Sequence, residues 1–351
     1  MRREQLFRML ESEAVELLAR SPTVQVATLG EEGQPILRTL HHVVVEGRLC
    51  FHSAPSGEKV EAMGRRAVAS TEEVVASIPS YFLDAQRACP ATTLYRSVQV
   101  HGTLEEIEEP TFKARVLAGL MAKLQPEGGH VPITADHPLY RGPVNGLLVY
   151  QLVPSRIDGK AKLGQNRSAP DRLRMLEALW RRGAPGDANA VERILAANPD
   201  TPVPGFLQGP PGLRLHCQLE ESGMTEALAL IASEYWNQGV CEQRLIQAIR
   251  GSTAWVGVRD AEGRLVAHAR ALSDGAKHAW VYDVVTAAQW RGKGVAKALL
   301  RMLLDHPAVR GASKVLLGTR DAQPLYRQLG FISVSEAPKR PYESETMVLL
   351  R

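Results

Sequence analysis

The stretch NPDTPVPGFLQGPPG, at residues 198–212, constrains this chain more than any other. Pro199, Pro202, Pro204, Pro210 and Pro211 fix their φ angles and remove backbone donors, and three glycines loosen what is left. Neither a helix nor a central strand tolerates that run. It reads as a semi-rigid linker between two domains. The 351 residues agree, since a domain takes roughly 150 residues. A chain that is 44% hydrophobic and 23% charged has enough apolar surface for two cores, which excludes a largely disordered protein. There is no internal repeat and no low-complexity tract.

Before the linker an amphipathic helix carries Phe7, Leu10, Ala14, Leu17 and Leu18 on one face and stops at Pro22. Short strands follow: TVQVATL, then PILRTLHHVVV, then LCFHS, separated by the turns EEGQ and EGR. GEKVEAMGRR is helix-like. After AVASTEEVVASI come the long strand TLYRSVQVHGTLEEI, a helix from about Pro110 to Leu124, and a last strand GLLVYQLVP. Strands this short, punctuated this regularly, predict a small antiparallel barrel. Two helices are expected between Asp171 and Ala197.

After the linker the pattern is α/β. A strand LRLHCQL precedes helices near 223–237 and 241–250. Strands TAWVGVRD, RLVAHARAL and HAWVYDVVT come next, then a helix from Gly294 to His306. A strand SKVLLGT, a short helix around DAQPLYRQLG and further strands complete a mixed sheet. The division expected is therefore 1–197, linker 198–212, and 213–351.

Forty-two Lys and Arg against 38 Asp and Glu give a net charge of +4, too mild to imply nucleic-acid binding. No apolar run approaches the ~20 residues of a membrane helix. The opening MRREQLFRMLESEAVELLAR, with acids throughout, is not expected to be a signal peptide. Cys50, Cys89, Cys217 and Cys241 form no CxxC pair and no zinc pattern, so a reduced cytoplasmic protein without structural metal is expected.

The chemistry-bearing segment of the second half is VYDVVTAAQWRGKGVAKALLRMLL. A strand ends at Thr286, and a loop with Arg291, Gly292, Lys293 and Gly294 opens an apolar helix. Glycines let successive amides point at one spot, and a helix N-terminus adds partial positive charge, which suits a pyrophosphate. The string QWRGKGVA, from Gln289 to Ala296, resembles the Q/R-x-x-G-x-G/A signature of the GNAT acyltransferase superfamily. Further on, TRDAQPLYRQLGF is similar to that superfamily's next motif, with Tyr326 ahead of Gly330 and Phe331.

That resemblance implies acetyl-CoA as donor. Backbone groups at Asp283, Val284 and Val285 would meet the pantetheine arm and polarise the thioester. Arg291, Gly292, Lys293, Gly294, Val295 and Ala296 would hold the pyrophosphate, and Tyr326 would protonate the departing thiolate. For the base that takes the amine's proton, Asp283, His278, Glu234 and Tyr282 are candidates, with Asp283 favoured for its place at the strand end. Tyr235 and Trp236 either line the acceptor pocket or pack the core.

The first half has anion-binding features of its own. Arg38 and Thr39 lie mid-strand, His52 and Ser53 end the next strand, and Lys59 follows the loop APSGEK. If the two strands pair as a hairpin, Arg38, Ser53 and Lys59 come to one corner. The string RTLHHVVVEGRLCFHSAPSGEKVEAM resembles the pyridoxamine 5′-phosphate oxidase-like FMN-binding split barrel. The likeness continues through Tyr95, Arg96 and Ser97, and through KAKLGQNRSAPDR, which is similar to a K-x-x-Q-N-R segment of FMN-binding regulators in that superfamily.

The resemblance implies FMN at a homodimer interface. Arg38, Ser53 and Lys59 would take the phosphate, with His52 beside them. Backbone near Thr39 and Leu40 would face the isoalloxazine, and Tyr95, Ser97, Lys162, Gln165 and Asn166 would complete the site. His41 and His42 either contact flavin or a substrate, or are strand histidines facing outward. The arginine–histidine motif of true pyridoxamine phosphate oxidases is missing, which argues against that vitamin-oxidase activity. The expectation is thus a flavin-dependent oxidoreductase domain fused to an N-acetyltransferase acting on an unspecified amine. The alternative is an acetyltransferase regulated or dimerised by a non-catalytic flavin sensor. A DNA-contacting regulator has no helix-turn-helix and no basic stripe to support it.

Overall fold

A computed structural model describes residues 4–338 and forms two compact units. The first comprises the described residues up to Met175 together with Ala197–Pro199; the second comprises Leu176–Ala196 and the chain from Asp200 onward.

The first unit opens with α1 (Glu4–Phe7) and α2 (Glu11–Arg20). The single opening helix expected from the sequence is broken at residues 8–10, where Arg8 bridges to Lys160 and the Met9 amide donates to the Gly159 carbonyl at 3.1 Å. Strands β1 (Thr23–Leu29), β2 (Pro35–His41), β3 (Val43–Val45) and β4 (Arg48–Ser53) follow. A single helical turn, α3 (Glu58–Glu61), stands where a longer helix was expected. The long strands β5 (Arg66–Ile78) and β6 (Thr92–Glu106) precede α4 (Pro110–Leu124), α5 (Arg141–Gly146) and β7 (Leu148–Lys162). Helix α4 starts where the sequence places it because the Glu109 carboxylate caps it, accepting from the Thr111 and Phe112 amides, with Pro110 at the first helical position.

The strands form one antiparallel sheet in the order β2-β1-β5-β6-β7-β4-β3. All seven contribute to one core: Val24 and Val26, Leu49 and Phe51, Ala67 and Ala69, Val98 and Val100, Leu148 and Tyr150, with Leu40 and Val44 alongside. A sheet whose every strand meets one interior is curled into a barrel, which α2 plugs with Ala14, Leu17 and Leu18. A smaller core lies where Phe112, Val116 and Leu120 of α4 meet Cys50 and Val149.

The run PILRTLHHVVV does not form one strand. It divides at His42, whose ring is fully buried with Nε2 2.7 Å from the Leu18 carbonyl. The chain thereby leaves one edge of the sheet as β2 and re-enters the other as β3. The expected pairing of the Arg38 strand with LCFHS is replaced by β1–β2 and β3–β4 ladders.

In the second unit α6 (Ala169–Arg182) contributes its latter half, followed by α7 (Asp187–Ala197). The Pro-rich stretch differs from a free linker from Asp200 onward. Leu207 is fully buried, and Phe206 stacks on Trp180 with centroids 4.5 Å apart. Its prolines remove backbone donors, so it packs through side chains rather than a ladder. Next come β8 (Arg214–His216), α8 (Met224–Ile231), α9 (Glu242–Arg250), β9 (Ala254–Arg259), β10 (Leu265–Ser273), β11 (His278–Thr286), α10 (Val295–Asp305), β12 (Lys314–Leu316) and α11 (Gln323–Arg327).

The sheet order is β12-β11-β10-β9-β8, parallel only between β11 and β12. The helix expected over 223–237 ends at Ile231, and a 3-10 turn occupies Tyr235–Asn237. Of the further strands expected after residue 330, residues 331–338 hold a 3-10 turn at Val334–Glu336, and the remainder lies outside the described residues.

Candidate functional sites

Strand β12 pairs with β11 only from His278 to Trp280. Beyond that point the edge of β11 facing away from β10 has no strand partner among the described residues, so backbone groups at Val284 and Val285 lie along an open slot. At its end the chain turns through residues 287–294 into α10. Gly292 and Gly294 adopt left-handed φ angles of 73° and 80°, and a Cβ at either would meet nothing within 4 Å. The Arg291 amide donates to the Ala288 carbonyl. The amides of Gly292, Lys293, Gly294, Val295 and Ala296 have no protein acceptor among the described residues. Gly294 caps α10 with no side-chain acceptor, so the helix presents open donors and its positive dipole end together. Lys293 Nζ sits 4.9 Å from the Trp290 ring centroid. Arg291 donates from Nε to the Thr286 carbonyl at 3.0 Å and lies 3.6 Å from Glu234.

Asp283 has a left-handed φ of 50°. The β10–β11 register slips there, with His268 opposite Val285 but Arg270 opposite Tyr282, so the residue occupies a β-bulge. Such strain in a non-glycine residue persists where the surroundings over-determine it. Both carboxylate oxygens are held: Arg270 Nε reaches Oδ2 at 2.5 Å, and Trp236 Nε1 donates to Oδ1 at 3.0 Å. The sequence reading placed Asp283 before an incoming amine. Its side chain is 5% exposed and committed to Arg270 and Trp236.

Tyr326 lies on α11, buried, with its ring edge-on to Phe331 at 5.8 Å. Burial lifts its hydroxyl above the ordinary tyrosine value, with Tyr235 and Asp321 adding to the shift, so it holds its proton at neutral pH. Tyr235 stands edge-on to Trp236 at 4.9 Å, and the Arg320 guanidinium covers its ring at 3.8 Å. The 3-10 turn therefore meets the bulge through Trp236, the glycine loop through Glu234, and the Tyr326 side through Tyr235.

In the first unit, strand parity sorts the expected flavin residues. Arg38 shares the face of Leu40, which packs on the barrel core. It lines a small pocket with Val26, Thr28, Ala62, Leu104 and Tyr150, and Arg38 Nη1 donates to Thr28 Oγ1 at 3.4 Å. Burial raises the Tyr150 hydroxyl to about 12, and Arg38 opposes that rise. Ser53 shares the inner parity of Phe51, but its hydroxyl donates to the Ala54 carbonyl at 2.8 Å. Thr39 and His52 have the opposite parity, and Thr39 is bonded to Gln25 across the ladder.

Tyr95 and Ser97 also face outward, opposite Lys162 and Lys160. Both lysines approach the Tyr95 ring, at 5.9 and 5.2 Å, and Lys162 donates to Thr92. Gln165 has its oxygen on the Leu163 amide and its nitrogen on the Ala161 carbonyl. Asn166 is exposed. The side chain of Lys59 lies outside the described residues. One chain thus supplies an arginine-bearing pocket and an edge strand, β2, whose outer row of backbone groups has no ladder partner among the described residues; those residues do not place all the expected side chains on one face.

Residues 11–161 match the family model described as pyridoxamine 5′-phosphate oxidase, and residues 224–331 match the acetyltransferase (GNAT) family. The chain joins a pyridoxamine 5′-phosphate oxidase-like domain to a GNAT acetyltransferase domain. The chain is 32% identical over 82 residues to a Pyropia yezoensis protein described as an uncharacterized N-acetyltransferase, ycf52. That match covers 23% of this chain and 47% of the relative, so the chain spans about half the length of the curated relative it matches. A Xanthomonas campestris pv. campestris structure described as belonging to the GNAT family is 28% identical, covering 38% of this chain and 96% of its own, with a TM-score of 0.33. A conserved hypothetical protein of Mycobacterium tuberculosis is 20% identical, covering 44% and 87%, with a TM-score of 0.36.

Residues 291–294 form the loop that opens α10 and Val295 and Ala296 its first turn, while Val284 and Val285 lie on the stretch of β11 beyond its pairing with β12. Arg270 and Arg320 were not found from the sequence. A signal existed for Arg270: a lone arginine in the apolar strand LVAHARALS has to find a buried partner. Among the described residues no group of three or more His, Cys, Asp or Glu is placed to hold a metal, and no helix is long and apolar enough to cross a membrane.

Proposed function

We propose that the GNAT domain transfers the acetyl group of acetyl-CoA to an amine, and that the split-barrel domain binds a flavin, FMN, between two copies of the chain. One observation carries the first part. Five successive amides, from Gly292 to Ala296, stand open at a helix N-terminus beside an unpaired strand edge. That array has the donors a pyrophosphate needs, and Arg291 and Lys293 add charge. The pantetheine arm would run along Val284 and Val285 toward the bulge.

The amine nitrogen attacks the thioester carbonyl carbon, the C–S bond breaks, and the thiolate takes a proton from Tyr326. The proton leaving the amine nitrogen passes to solvent and balances the one Tyr326 regains. Asp283 fixes the bulge and Trp236 and does not act as base. Acetyl-CoA should raise the melting temperature of the full-length protein, and Gly294→Ala should weaken that effect. No stabilisation at millimolar acetyl-CoA would sink this reading.

The flavin part rests on the family match, on Arg38 in its pocket, and on the open edge of β2. A bound flavin would supply two-electron transfer. The chain's residues would contribute phosphate contacts from Arg38, Ser53 and Lys59, and outer-face contacts from Tyr95, Ser97 and Lys162. Residues of opposite parity meet one ligand most simply when two subunits supply them, which is the reason for proposing a homodimer. FMN should co-elute with the protein, and Arg38→Ala should abolish co-elution. Four unpaired cysteines, two of them exposed, suit the cytoplasm. A sensor without turnover is the second reading, favoured by the commitment of Gln165 to backbone. It predicts acetyl-transfer rates that change with flavin redox state.

A further inference from the structure

On one face of the GNAT sheet Trp280 and Tyr282 of β11 are 43% and 37% exposed, Leu272 of β10 opposite Trp280 is 41% exposed, and Trp236 is 38% exposed. The Trp280 and Tyr282 rings are stacked at 6.2 Å, and the Arg270 guanidinium covers Tyr282 at 4.8 Å. Large aromatic side chains left half-open in a cluster mark a binding surface rather than a core. This cluster begins one residue before the Asp283 bulge and runs back along β11. Trp280 therefore lies roughly 7 Å along the strand from Tyr282, at about 3.3 Å per residue.

The charges beside it are already matched. Asp283 is paired with Arg270, Glu234 with Arg291, and Asp321 with Arg320. Asp274 accepts from the amides of Ala276, Lys277 and His278, with the His278 ring 4.0 Å away. A polyamine or aminoglycoside needs several unmatched carboxylates, and among the described residues this wall offers none.

We infer that the acceptor of the acetyltransferase is an arylalkylamine, a primary amine joined by a short linker to an aromatic ring that lies on Trp280 and Tyr282. The ring would lie against the edge of the Trp280–Tyr282 stack nearer the bulge, with the amine pointing toward Asp283, since the face of Tyr282 is shared with Arg270. Selectivity would come from the platform, and reactivity from the slot and Tyr326.

This inference rests on the acetyltransferase reading, and the experiment separates the two. Thiol release is followed in full-length protein with saturating acetyl-CoA and either 2-phenylethylamine or spermidine, and each amine's binding to the CoA-loaded protein is followed by calorimetry. The aromatic amine should exceed spermidine in kcat/KM by about ten-fold. Trp280→Ala should raise its KM and Kd by about ten-fold, as expected for one lost aromatic contact, with the KM for acetyl-CoA unchanged. Trp280→Phe should restore most of the loss, which a folding defect would not allow. Preference for spermidine, or a Trp280→Ala protein that binds 2-phenylethylamine as well as before, overturns the platform and leaves acetyl transfer standing. Binding of 2-phenylethylamine that depends on Trp280, with no transfer to either amine, supports the platform and overturns the acetyltransferase reading. No binding of the aromatic amine overturns the platform.

Discussion

Arg270 Nε lies 2.5 Å from Oδ2 of Asp283, inside a β-bulge whose backbone is held in the left-handed region. Both side chains are nearly buried, at 10% and 5% exposure. Removing one partner strands the other charge, so Asp283→Ala should cost about 3–5 kcal/mol of stability. Chemical denaturation would measure it. A loss below about 1 kcal/mol, the usual worth of an exposed pair, would show that the bulge does not depend on this contact.

Tyr326 carries the acid role in the proposed transfer. Tyr326→Phe removes a hydroxyl and little volume, so the fold should survive. If the proton donor is lost, kcat should fall by roughly 10²–10⁴-fold, with the KM for acetyl-CoA little changed. The raised Tyr326 hydroxyl also predicts that the tyrosine-dependent alkaline fall in rate comes above the ordinary tyrosine value near 10. Wild-type rates in the phenylalanine variant would remove the acid assignment.

The glycine loop ahead of α10 and the short helix that carries Tyr326 were legible because each is local. Glycines at 292 and 294 are what the left-handed angles there demand, and the strand–loop–helix pattern around them is written in adjacent residues. The Asp283–Arg270–Trp236 cluster was not legible, since it depends on a register slip between two strands and on where a 3-10 turn falls. In the barrel, the alternation separating Arg38 from Thr39 could be read. Which face points inward follows from the break at His42, and one buried ring fixed by the Leu18 carbonyl has no signature in a run of strand-forming residues. The helix over residues 110–124 was legible because its cap and its proline are adjacent in sequence.

Gly294→Ala tests the anion cradle. At a φ of 80° an alanine costs about 1–2 kcal/mol, with no clash to add to it. The methyl group would project into the open space before the amides. The KM for acetyl-CoA should therefore rise by about ten-fold or more, beyond what the small stability loss explains. Gly257→Ala is the control for fold alone: its Cβ would lie 2.2 Å from the Trp255 ring, in a strand other than the one that leads into the loop. A Gly294→Ala protein with unchanged acetyl-CoA affinity would show that the amides are not the donors.

Buried imidazoles give the protein an acid-sensitive stability. Desolvation lowers His42 in the barrel, and His268 and His306 in the GNAT domain, each to about 4. Among the described residues Nδ1 of both His42 and His268 has no partner, so a proton there would add a buried donor without an acceptor. Unfolded histidine binds its proton near 6.5, so between about 6.5 and 4 the unfolded chain holds more protons than the folded one. Stability is then complete above pH 6.5 and falls as pH drops to 4, by on the order of 3 kcal/mol for each ring. Asp84 and Asp274, held by hydrogen bonds near 2, lose their contribution only below about pH 4, so the two effects separate. Denaturant melts between pH 7.5 and 4.5 should show this decline. His42→Gln, able to donate to the Leu18 carbonyl without titrating, should flatten it in the barrel transition and leave the GNAT transition unchanged. A wild-type protein equally stable at both ends of that range would mean that these rings reach solvent and protonate at ordinary values.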